Sequence, residues 1–142
     1  MRREITRSRR GRRGSALVES ALILTVILFM LFAIMDFAQL LFVHQGLVEA
    51  SRRAARYGVA NPYDEQSIRN VVMYDSVTVP TGAQPRFGLE ASMVEVARLN
   101  AGSNSDRLQV KIVNYQFQVY TPLIAGTLRG LPITTTLPYE AD

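Results

Sequence analysis

The Gly14–Ser15 bond and the carboxylate of Glu19 are where this chain has chemistry to offer. They lie in Arg12-Arg13-Gly14-Ser15-Ala16-Leu17-Val18-Glu19, where a basic block gives way to an apolar run. Hydrolysis after Gly14 would leave Ser15 with a free ammonium. Glu19 follows four residues later, so in a helix it lies near that terminus. A carboxylate at the edge of hydrocarbon is costly unless an opposite charge offsets it. The partner is either the chain's own new amine or that of a neighbouring subunit. In the second case Glu19 sets the register of stacked helices. Left uncut, Glu19 would simply lie among headgroups at the bilayer interface.

Asp36 is the second acid in the apolar run. It follows Glu19 by about 25 Å along a helix and about 260° around its axis, so the two do not share a face. Asp36 reads either as a contact to a partner helix, for instance to an arginine, or as the mark of the exit from the membrane. His44 is the single histidine, and cysteine is absent. Disulfides, thiolate nucleophiles and Cys-based metal sites are therefore excluded. With no second ligand nearby, His44 is expected to be an interfacial polar residue. Phosphate-binding glycine motifs, His-x-x-x-His and Gly-x-Ser-x-Gly are all missing. The expectation is no catalytic residue, no cofactor and no metal, hence not an enzyme. Tyr115, Phe117 and Tyr120 read either as a binding strip or as core or a sheet face, and the second is the expectation.

These residues must be positioned by the elements around them. The chain has 142 residues and a formal net charge of +4. Residues 1–14 hold seven arginines against Glu4, and the remainder carries nine basic and eleven acidic residues, a formal −2. The basicity belongs to the leader. Directly abutting an apolar span, such a leader reads as topogenic, holding the N-terminus in the cytoplasm while the chain beyond the span is exported. A nucleic-acid partner is not expected, although an Arg-rich arm can bind phosphates non-specifically.

Between Ser20 and Met35 no residue is charged, and the apolar character continues past Asp36 and Gln39 to Val43. As a helix, Ala16 to Val43 would measure roughly 42 Å, against a hydrocarbon core of about 30 Å. A secretory signal has a shorter apolar region and a small-residue cleavage site after it. This run fits a retained span better. The helix is expected to continue through Glu49-Ala-Ser-Arg-Arg-Ala-Ala-Arg56 to Tyr57, with Gly58 as its stop. Arg52, Arg53 and Arg56 suit its C-terminal end.

Asn61 is then expected to cap a short helix, with Pro62 at its first position, running to about Tyr74. Ile68, Val71 and Val72 would form its buried face. Pro80, Gly82, Pro85 and Gly88 place a loop at 75–88. A strand is expected from Met93 to Leu99, a polar turn at 100–106, and a long strand from Leu108 to Tyr120. The apolar phase of that strand flips between Ile112 and Val113, which a bulge or burial on both faces would explain. Pro122 would end it, an apolar connection would occupy 123–132, and Ile133 to Leu137 would form a last strand.

Arg-Arg-Gly-Ser-Ala-Leu-Val-Glu resembles a type IV prepilin-like processing site. With Asp36 in Ile-Met-Asp-Phe-Ala and the Ala/Arg stretch Glu49–Arg56, the segment Arg13–Arg56 resembles the TadE-type pseudopilins of Tad (Flp) pilus systems. TadF and TadG relatives share the anchor style, and the major Flp pilins are much shorter than this chain. The resemblance implies cleavage between Gly14 and Ser15 by a prepilin peptidase. It implies a minor pilin or pseudopilin whose Glu19 pairs with a new N-terminus, and whose partners are other pilins and pseudopilins of the Tad apparatus and, before assembly, inner-membrane lipid. Such pili serve adhesion and biofilm formation.

The expected fold class is α+β, pilin-like: a long N-terminal transmembrane helix and a small exported domain with a short helix and an antiparallel β-sheet. The expected parts are a removed leader at 1–14, the transmembrane and assembly helix at 15–57, a short helix and loop at 58–88, and a β-rich domain at 89–142. The expected location is the bacterial inner membrane, single-pass, with the C-terminal domain periplasmic or extracellular, or the extracellular pilus after assembly. The rival readings are a permanent single-pass membrane protein whose exported domain binds a partner, an envelope enzyme, and a nucleic-acid-binding protein.

Overall fold

One helix runs through both parts of the molecule. The computed structural model describes residues 9–121 and 126–139. Most of the leader expected at 1–14, the stop at Pro122, the start of the 123–132 connection and the last residues of the 89–142 segment lie outside the described residues. Helix α1 covers Arg9–Ala60, 52 residues without a break. In its first half the large apolar side chains are exposed, among them Leu22, Val26, Met30 and Ile34. In its second half one stripe turns inward: Leu47, Ala50, Ser51, Ala54, Ala55 and Gly58 are buried. They recur at three- and four-residue spacing, which is the period of one helix face. All but Leu47 are small, so a sheet can approach this stripe closely.

Gly58 does not stop the helix. A Cβ there would stand 2.5 Å from Leu108 Cδ2 and 2.7 Å from Ile68 Cδ1, so the missing side chain makes room for two core residues. The helix runs on to Ala60, and the Asn61 side-chain amide then donates to the Tyr57 carbonyl at 2.9 Å. Asn61 therefore closes α1 and does not cap the next helix. That helix, α2 (Glu65–Tyr74), is capped by Asp64, whose carboxylate accepts from the N–H groups of Gln66 at 3.3 Å and Ser67 at 3.1 Å. A carboxylate both accepts these bonds and meets the positive end of the helix dipole. Asp75 ends α2 in the left-handed conformation, with φ 59°. Ile68, Val71 and Val72 are buried, as their spacing predicts.

The strands are β1 (Val94–Leu99), β2 (Arg107–Ile112), β3 (Gln116–Val119), β4 (Gly126–Arg129) and β5 (Ile133–Pro138). β1, β2 and β5 form an antiparallel sheet in the order β1-β2-β5. Val96, Val110 and Thr135 stand in register across it. Leu108, Val110 and Ile112 alternate inward along β2 and are fully buried with Val94, as one face of a half-buried strand requires. The core lies between this face and the two helices. The architecture is α+β with antiparallel sheets.

The expected strand over 108–120 is two strands in two sheets. β2 ends at Ile112, and the Val113 N–H donates to the Met93 carbonyl at 2.8 Å. Asn114 takes φ 55° and turns the chain away. The phase flip in the sequence thus marks a change of sheet, neither a bulge nor a doubly buried strand. A second correction concerns 126–129, which is strand β4 and not part of a connection. It pairs antiparallel with β3, from Gln116↔Arg129 to Val119↔Gly126. Its four residues are exposed at every position, so the apolar alternation that signals a half-buried strand is missing from Gly-Thr-Leu-Arg.

Candidate functional site in the apolar helix

Gly14 and Ser15 lie near the start of α1, exposed, and a Cβ at Gly14 would meet nothing within 4 Å. Glu19 is exposed one helical turn after Ser15. The two hydroxyls of the uncharged stretch satisfy themselves within the helix. Ser20 donates to the Ala16 carbonyl and Thr25 to the Ala21 carbonyl, both at 2.8 Å. Such back-bonding leaves no side-chain donor in need of water, which suits a helix surrounded by lipid. Among the described residues, α1 is the one helix long and apolar enough to cross a membrane, and its most apolar stretch is wholly unburied.

Asp36 is engaged within the chain. Its carboxylate accepts from the N–H of Tyr120 at 2.9 Å and from the N–H of Thr121 at 2.7 Å. The Thr121 hydroxyl adds a third bond. Sequence reasoning did not find this partner, because the contact spans 84 and 85 residues and Tyr120 and Thr121 contribute chiefly backbone.

His44 lies where α1 enters the domain, and its Nδ1 is 3.0 Å from the Tyr115 hydroxyl. Tyr115 is buried, and burial raises its phenol above the usual range, because the charged form is the one that desolvation penalises. Its ring lies over Gly130, where a Cβ would stand 1.9 Å from Tyr115 Cζ. Phe117 is half-buried and Tyr120 exposed. On the opposite approach, Phe87 covers Gly46: a Cβ there would stand 2.3 Å from its Cζ. Phe87 also packs edge-on against Phe42 and takes φ 54°, a conformation that bulky residues rarely adopt without support from packing. No sequence signal marks Gly46 and Phe87 as neighbours.

Among the described residues no three His, Asp or Glu side chains gather as a metal would require. A shallow cavity of about 500 Å³ lies between α1 and β5, lined by Glu49, Arg52, Arg56, Thr135 and Leu137.

The family model for TadE-like protein matches residues 14–56. This segment is TadE-like. The match begins at Gly14 and ends at Arg56, so it takes in Ser15, Glu19 and Asp36 together with the Ala/Arg stretch. In the TadE-like segment the apolar, exposed half of α1 and most of its buried stripe belong to one matched unit. β1 to β5 lie outside the match. No curated protein and no solved structure matches the chain.

Proposed function

We propose that this protein is a minor pilin or pseudopilin of a Tad-type type IV pilus, made as a precursor and cut by a prepilin peptidase between Gly14 and Ser15. The observation that carries the reading is the TadE-like match beginning at Gly14, immediately after the basic block that ends at Arg13. The leader holds the precursor in the inner membrane with its N-terminus in the cytoplasm. Cleavage removes the basic block and creates an ammonium one turn from Glu19. The exposed apolar half of α1 then has two environments open to it: lipid before assembly, and the helices of other Tad pilins afterwards. Leaving the bilayer requires neighbouring helices to replace lipid around it. The assembled structure serves surface adhesion.

The test is intact mass and N-terminal sequencing of the protein taken from its own membranes. A terminus at Ser15 supports the processing reading. An intact leader, with the native peptidase present and active, overturns it and leaves a permanent single-pass protein whose domain binds a partner.

A further inference from the structure

β5 is an edge strand of the main sheet, and the register shows which of its backbone groups that sheet leaves unused. Backbone groups along an antiparallel strand turn alternately to one neighbour and the other. Since the Val113 N–H bonds to the Met93 carbonyl, Arg107, Gln109 and Lys111 turn their groups toward β1, and Leu108, Val110 and Ile112 turn theirs toward β5. Their partners Leu137, Thr135 and Ile133 are the β5 residues bonded into the sheet. The N–H and C=O groups of Thr134 and Thr136 point the other way, and among the described residues no backbone bond reaches them. Edge strands are commonly defended by charge or by a bulge. Ile-Thr-Thr-Thr-Leu-Pro has neither, and only Pro138 blunts its end. The opposite edge differs, because the outward Val94 carbonyl of β1 accepts from Arg69 Nε of α2 at 3.3 Å.

Beside this open edge lies the cavity between α1 and β5. Thr135 and Leu137 border it from the strand, and Glu49, Arg52 and Arg56 line its helical wall. A second cavity of about 320 Å³ continues it along α1 past Val48 and Gln45, so the two form a trough. Glu49 pairs with Arg56 at 3.4 Å. Arg52, which borders both cavities, makes no ion pair among the described residues. Two arginines against one glutamate leave this wall with an excess of positive charge. The trough also has a direction. Ser51 meets Thr135, and the Tyr139 hydroxyl meets the Asn61 carbonyl. These contacts are about 15 Å apart along a helix and about 13 Å apart along a strand. α1 and β5 therefore run side by side in the same direction.

We propose that this edge and trough are a docking site for one extended strand of a partner protein, with an acidic side chain on the face turned to α1. Main-chain bonds to Thr134 and Thr136 hold the strand, and its side chains opposite Thr135 and Leu137 enter the trough, where the acid meets Arg52. A second copy of the chain does not fit. Every described strand pair is antiparallel. A copy paired in that way through its own β5 would point its α1 in the opposite direction, away from the bilayer that the first α1 crosses. Its β1 edge is engaged by Arg69, and its β3 and β4 carry no acid. The argument against pairing through β5 rests on α1 as a membrane span. The docking site itself is independent of cleavage after Gly14.

The test follows the Thr134 and Thr136 amides by NMR hydrogen exchange, with the full-length protein in detergent micelles. The probe is the peptide acetyl-Thr-Val-Thr-Glu-Thr-Val-Thr-amide at millimolar concentration. Both amides should exchange fast without it and at least about threefold more slowly with it. A peptide with lysine in place of glutamate should protect them less. Arg52→Glu, at an exposed position, should reverse that preference and leave the melting temperature unchanged. Thr136→Pro removes an outward N–H that the sheet does not use, a change that edge strands tolerate, and should abolish protection at Thr134. The proposal is overturned if neither peptide slows the two amides, if both slow them equally, or if the Arg52→Glu protein keeps the wild-type preference. A folded Thr136→Pro protein that still protects Thr134 overturns it as well. So do amides that are already slow without peptide: protection lost on dilution would mean a second copy, and protection lost on removing residues 140–142 would mean the chain's own end. None of these outcomes touches the reading of Ser15 as the mature terminus, which intact mass decides separately.

Discussion

The hydroxyl of Ser51, in the buried stripe of α1, lies 2.7 Å from the hydroxyl of Thr135 in the middle of β5. Ser51 also donates to the Val48 carbonyl at 2.9 Å. A hydroxyl has one proton, so Thr135 must be the donor of the pair. Removing either hydroxyl should cost about 0.5–1.5 kcal/mol of domain stability. The double variant Ser51→Ala, Thr135→Val should cost less than the sum, because no polar group is then left without its partner. Denaturant unfolding in detergent measures all three. Strict additivity would mean that the two hydroxyls do not depend on each other.

At position 58 the expected order of stability is glycine, then alanine, then valine. Alanine gains about 1 kcal/mol of helix propensity, which partly offsets its contact with Leu108 and Ile68. Valine adds more volume to a closed core and should cost about 1–3 kcal/mol. Thermal melts of wild type, Gly58→Ala and Gly58→Val decide it. A Gly58→Val protein as stable as wild type would refute the packing account.

Acid should weaken the domain through Asp106. This buried carboxylate accepts from Arg98 Nε at 3.1 and 3.0 Å, from Arg98 Nη2 at 2.6 Å and from the Gly102 N–H at 2.9 Å. The Arg98 hydrogen bonds chiefly hold its carboxyl below the usual range. The folded state therefore binds this proton more weakly than the unfolded chain. The resulting stability is present above the unfolded value of about 3.9 and is lost as pH falls through the lower folded one. Asp106→Asn should melt lower than wild type at pH 7, and the gap should close below about pH 4. A gap that stays constant into strong acid would show that ionisation of Asp106 is not its source.

Much of this fold was legible because its signals are local. The apolar span, the Ile68/Val71/Val72 face and the alternation of β2 each follow from the period of a single element. The errors lie where a distant contact overrides the local signal. Gly58 looks like a helix stop in sequence, yet it is the one position where α1 must admit Leu108 and Ile68. Asn61 and Asp64 are both competent caps, and the choice between them depends on where α1 finally closes. The split of 108–120 depends on Tyr115 finding His44 and Gly130. Of the candidate site, Gly14, Ser15, Glu19 and Asp36 were readable as types at a spacing. The bonds that Asp36 makes were not, since they go chiefly to backbone N–H groups that any residue would supply.

Gly14→Arg should leave the protein in the membrane with its leader intact. A bulky cation cannot occupy a cleavage site that accommodates a residue without a side chain. Mass spectrometry of the membrane fraction distinguishes the cut and uncut forms. Normal processing of this variant would remove the cleavage site from Gly14.

Glu19→Ala should still be cut at Ser15 but should reduce incorporation into pili, because the new ammonium loses its counter-charge at the edge of the hydrocarbon. Immunoblots of sheared pili against the membrane fraction measure the ratio. Wild-type levels in the sheared fraction would end the pairing role.

The absence of any break in α1 between its exposed half and its core-forming half has a mechanical consequence. The rod that meets lipid is also the rod on which the sheet is built, with no hinge to absorb load between them. An axial pull on the apolar half is delivered as shear at the stripe from Leu47 to Gly58. A twist of one residue's worth, about 100°, swings the whole sheet by the same angle. Positioning the helix therefore also aims the domain.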